Sequence, residues 1–175
     1  VQHAIGARRF DYVRSDACDR TTVALAADAS GIDLPDLVEH LRVTGRLTPA
    51  MLMHALCAGH IDFFVEAMVN LSSLSERRVR SIVSDGRFHA MRALYESAGL
   101  PRDLSEVFVE ATLLWRGADR NPGHGIVGGV AAKLLSRFRS RLRVGSTTSD
   151  LMDMVEKLQI VEQRQSARAY ASFLA

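Results

Sequence analysis

The sequence predicts an all-α protein made of stacked helical hairpins, with a C-terminal basic helix and a terminal helical arm. Three observations carry this. Sustained period-two alternation is missing, so no strand is signalled. Apolar residues recur at three- and four-residue spacing between recognisable caps, which puts them on one helical face. A block of the sequence also matches itself when slid by 27 residues.

In chain order, Asp33 before Leu34 and Pro35 reads as an N-cap with Pro in the first turn, and Gly45 closes that helix. Thr48 and Pro49 repeat the start signal, and Gly59 stops the second helix. The third carries Phe64, Ala67, Met68 and Leu71 on one stripe. Ser75 caps a fourth, with Val79, Ile82 and Val83 inward. Phe88, Met91, Leu94, Tyr95 and Ala98 form a fifth stripe, closed by Gly99. Leu104, Val107, Phe108, Ala111, Leu114 and Trp115 form the sixth. Residues 116–125 (RGADRNPGHG) read as a loop. A helix over 127–142 follows, with Val130, Ala131, Leu134, Leu135 and Phe138 inward. After a Gly/Ser/Thr break at 145–149, a last helix carries Leu151, Met154, Val155, Leu158 and Val161. Its stripe then fades to Gln165, Arg168 and Ser172. The expected division is a helical-repeat domain over 1–143 and an arm over 144–175.

The 27-residue slide sets Thr48 on Ser75, Leu52 on Val79, Leu56 on Val83 and Gly59 on Gly86. It continues with Phe64 on Met91, Ala67 on Leu94 and Met68 on Tyr95. Caps fall on caps and apolar residues on apolar residues. A single short hairpin cannot bury its own apolar face, so repeated hairpins must stack.

Composition narrows the function. The 175 residues are 47% hydrophobic and 24% charged with four Pro, which excludes a disordered or low-complexity chain. No apolar run approaches the roughly 20 residues a membrane span needs. Two cysteines exclude a disulfide framework. The net charge of +2 gives no global nucleic-acid footprint, although it is unevenly spread. Residues 21–75 hold two basic and six acidic side chains, whereas 133–143 hold five basic and none acidic. Val1 to Phe10 shows no apolar segment of a signal peptide, and cytoplasmic residence is the expectation.

The stretch 45–101 resembles an uncharacterised bacterial family, a domain of unknown function seen mainly in alphaproteobacteria. The matching words are GRLTPAMLMHALCAGHIDFF, RRVRSIVSDG and ALYESAGLP, about 57 of the 175 residues. Met51 and Met53 stand where the family favours leucine, and His60 where it favours aspartate. The resemblance implies HEAT-like helical repeats, so that the chain would be a fragment of an α-solenoid. It brings no catalytic residue with it.

Several constellations invite chemistry. Gly123, Gly125 and Gly128 fit G-x-G-x-x-G, but the preceding strand and the later acidic residue of a dinucleotide fold are lacking. His54, Cys57 and His60 form H-x-x-C-x-x-H, with Asp62 the nearest fourth ligand; Cys57 among Ala55, Leu56 and Ala58 reads instead as a small core residue. Asp62 and Glu66 are paired carboxylates at i, i+4 beside Phe63 and Phe64. With Phe64 in the core, Phe63 points about 100° away, either to a partner or between hairpins. Lys133, Arg137 and Arg141 recur every four residues along one face, suited to phosphates, an anionic surface or an acidic partner; self-pairing and solvation compete.

The expectation is therefore a non-catalytic interaction or regulatory module with no cofactor and no bound metal. Its partner-binding residues would be Lys133, Arg137, Arg141 and Phe63, facing a protein partner of acidic character. Self-association through 150–175 is a further expectation. The alternative is an anionic ligand or nucleic acid at the basic corner from Gly123 to Arg143, although no aromatic residues interleave there to stack bases.

Overall fold

The computed structural model describes residues 34–120, 129–138 and 147–174. Within them the chain is all helix. The elements are α1 (Leu34–Val43), α2 (Pro49–Ala58), α3 (Ile61–Ser72), α4 (Glu76–Asp85), α5 (Phe88–Ser97), α6 (Arg102–Arg120), α7 (Gly129–Phe138) and α8 (Thr147–Leu174). None of these helices is long and apolar enough to cross a membrane. The cap expected at Asp33 lies outside the described residues.

Local chemistry sets the boundaries. Thr48 is extended, and its hydroxyl accepts from the Met51 amide at 3.2 Å, satisfying one of the orphan donors that open α2. Gly59 ends α2 at φ +80, the left-handed conformation that a side chain resists. The helix between carries no charge, and Met51, Leu52, Met53, Ala55, Leu56 and Cys57 are all buried. A helix apolar on every side needs neighbours on every side. It has them: α2 packs on α3, α6, α7 and α8.

The hairpins α2–α3 and α4–α5 share a frame. α4 starts and ends 27 residues after α2, and α5 starts 27 residues after α3. The matched pairs Leu52 and Val79, Leu56 and Val83, Phe64 and Met91, Ala67 and Leu94, and Met68 and Tyr95 are buried on both sides. The slide also sets Leu47 on Leu74 and Ile61 on Phe88, however, and Leu74 and Phe88 are 37% and 42% exposed. The hairpins meet through α3, which touches α4 and α5 as well as α1. An open solenoid would stop there, each hairpin touching only its neighbours. Here α6, α7 and α8 return to α2 and close the stack around it.

At the meeting point, Phe64 of α3, Tyr95 of α5 and Phe108 of α6 form an aromatic cluster, with centroids 5.7–6.2 Å apart. The Tyr95 hydroxyl lies 2.6 Å from that of Thr112. Thr112 gives its single proton to the Phe108 carbonyl at 2.8 Å, so Tyr95 must be the donor to Thr112. Burial disfavours the phenolate and pushes the Tyr95 pKa up to about 12.

One element differs from the sequence expectation. The loop expected to open at Arg116 does not: α6 runs on to Arg120, and the Arg116 side chain is buried. Its Nε and Nη2 donate to the carbonyls of Val83 and Ile82, both at 2.6 Å, and Nη1 donates to that of Gly86 at 2.9 Å. A cation thus occupies the carbonyl end of α4, where the last carbonyls are short of intrahelical N–H donors. The terminal helix keeps its expected stripe: Leu151, Met152, Met154, Val155 and Leu158 are buried against the body, while the described side chains from Gln163 to Ser172 are exposed.

A candidate docking face on α6 and α7

The expected partner residues fall in different places. Phe63 is 1% exposed and fully packed, because α3 is covered on several sides; it offers no surface for a partner. Arg141 lies outside the described residues, as do the glycines at 123, 125 and 128. Lys133 and Arg137 are exposed on α7, one turn apart.

Arg137 forms an ion pair with Glu110 of α6. This cation therefore pairs within the protein, with a neighbouring helix. The Thr148 hydroxyl also donates to Asp103 at the start of α6, at 3.1 Å. Thr148 opens α8, so this second bond ties α8 to the start of α6. Leu113 is one turn after Glu110, and Lys133 is one turn before Arg137. Leu113 and Lys133 thus each stand one turn along their own helix from a member of the Arg137–Glu110 pair. Leu113 is 40% exposed, unlike its buried neighbours Thr112 and Leu114. The face therefore offers an apolar side chain, an exposed ammonium and a guanidinium–carboxylate pair.

Sequence reasoning did not select Leu113, Glu110 or Arg116. A signal for the first two was present: Glu106, Glu110, Leu113 and Gly117 follow one another at 4-3-4 spacing, a polar stripe with one leucine in it. For Arg116 there was none, since its acceptors lie 30 to 34 residues upstream.

The remaining constellations resolve into structural roles. Cys57 is buried in the core. Among the described residues no group of three or more His, Cys, Asp and Glu is placed to hold a metal ion. Asp62 and Glu76 both accept from Arg80, at 2.9 and 3.0 Å, tying α3 to α4. Partial burial and the nearby Glu76 carboxylate raise the Glu66 pKa. Glu39 accepts from Arg42 at 2.6 and 2.8 Å and from Asn70 of α3 at 2.9 Å, and these bonds hold its pKa down at about 2.

No curated protein and no solved structure matches the chain. A family model does, over residues 1–152, and its description is that of an uncharacterised protein conserved in bacteria. The match spans both hairpins, α6, α7 and the opening of α8. The chain belongs to this bacterial family, DUF2336.

Proposed function

We propose that this chain is a non-catalytic protein-interaction module of repeated helical hairpins, docking its partner on the α6–α7 face. The observation that carries the reading is the Arg137–Glu110 pair across α6 and α7, with Leu113, 40% exposed, one turn from Glu110 and the exposed Lys133 one turn from Arg137. Interfaces combine an apolar anchor with a polar rim in this way, and arginine is enriched in them. The shared 27-residue frame of α2–α3 and α4–α5 supports the repeat half of the reading. The exposed Lys133 ammonium is the charge that favours an acidic partner, since Glu110 already pairs with Arg137.

The test is affinity capture from the source cell with the whole chain as bait. Leu113→Asp combined with Lys133→Glu removes the anchor and reverses the charge, and should abolish capture of the partner. Arg77→Glu with Arg78→Glu, on the exposed side of α4, should leave it intact. Equal capture by all three proteins would refute the face. Recovery of nucleic acid, with binding that falls steeply as salt rises, would replace this reading by an anion site.

A further inference from the structure

We propose that the groove between α7 and α8 is a second docking site, shaped for a cationic amphipathic segment of a protein partner. Its floor is apolar: Ala132 and Leu135 from α7, and Met152 from α8. Its lip is acidic, formed by Asp153 and Glu156 with Gln159 beyond them. Both carboxylates are exposed, and so is Asp150 one turn earlier. The groove encloses about 220 Å³. At roughly 30 Å³ per water that is the room of about seven waters, the scale of one or two inserted side chains.

The charge fixes the occupant. An apolar floor alone would take any hydrophobic segment. A floor edged by Asp153 and Glu156 rejects an acidic segment, and it pairs with lysine or arginine placed one turn from a buried leucine. The helix-in-groove mode has that pattern, apolar anchors at i, i+3 and i+4 with basic residues beside them. This site is separate from the α6–α7 face. Leu135 and Arg137 are two residues apart and so point about 160° apart around α7. One helix thus carries a basic flank toward α6 and an acidic groove toward α8, and each surface selects the opposite charge.

The probe is a fluorescein-labelled helical peptide of leucine and lysine with apolar residues at i, i+3 and i+4. Its counterpart carries glutamate in place of each lysine. Anisotropy titrations use the whole chain. The lysine peptide should bind and the glutamate peptide should not. Asp153→Lys with Glu156→Lys should weaken binding at least about tenfold. Ala132→Trp, which fills the groove at constant charge, should weaken it comparably. Asp36→Lys with Glu106→Lys makes the same charge change on α1 and α6 and should have less than about a twofold effect. Equal losses from the two double variants would reduce the binding to net charge and overturn the site. Binding of the glutamate peptide would also overturn it. A mass of two chains without peptide, lost in the groove variants, would assign the groove to a second copy and overturn the proposed occupant.

Discussion

The hairpins α2–α3 and α4–α5 share one frame and differ in how they are held. Thr48 caps α2 through its hydroxyl, whereas Ser75 at the same register makes no side-chain cap bond to α4. Gly59 takes φ +80 with open space around it. Gly86 has φ −59, and a Cβ there would meet the Ile82 carbonyl oxygen at 2.4 Å. The matched glycines thus serve different needs, one a left-handed turn and the other a close approach. α2 is held by apolar neighbours on every side, while α4 buries Val79, Ile82 and Val83 and relies on Arg116 at its end. The lesson is that two hairpins can share boundaries and most of a buried stripe. What secures each hairpin depends on its place in the closed stack.

Several substitutions would break or sharpen this comparison. The largest effect should come from the aromatic cluster that both hairpins share: Phe64→Ala should cost about 3–5 kcal/mol in urea unfolding. Next is Arg116→Met, at about 2–3 kcal/mol, since it removes charge-assisted bonds to three carbonyls. Arg116→Lys should recover only part of that loss, because an ammonium lacks the planar fork. An unchanged stability for Arg116→Met would remove the clasp from the account.

How far the sequence disclosed this structure follows from the same contrast. Caps, glycines and the apolar stripes are local, and they delimited α2 to α5 closely. The clasp is not local. Arg116 sits in a polar stretch that reads as a loop, and only the α4 carbonyls, brought in by folding, make it a buried helical residue. Phe63 was ambiguous for the same reason, since the neighbours of α3 decide whether its second face is covered. Phe88 falls on an apolar stripe yet is 42% exposed; it meets the edge of His89 and lies under Arg92 rather than in the core. At the candidate docking face, Lys133 and Arg137 were legible as a periodic charge. Leu113 joins them only through the Arg137–Glu110 pair, which folding brings together.

Smaller effects probe the matched positions. Gly86→Ala should cost about 1–3 kcal/mol through its backbone clash. Gly59→Ala, which meets only the cost of the left-handed conformation, should cost about 1 kcal/mol. Thr48→Ala should cost about 1 kcal/mol for its lost cap bond, and Ser75→Ala only a few tenths. Equal costs within either pair would show that the hairpins are secured alike. The smallest effect is the pH dependence of the α1–α3 tie. Glu39 has a folded pKa of about 2, below the ordinary carboxylate value. Its contribution is therefore present at neutral pH and lost as the pH falls from about 4.5 toward 2. Glu39→Gln should flatten that part of the acid-unfolding curve, as followed by circular dichroism.

The central claim is that α2 is the closed centre of the stack and α4 an edge helix held through Arg116. Residue-resolved hydrogen exchange tests it most directly. Amides of α2 should exchange only by global unfolding, while those of α4 open at lower free energy, and Arg116→Met should lower α4 further than α2. Equal protection in the two helices, falling by the same amount in the variant, would contradict it.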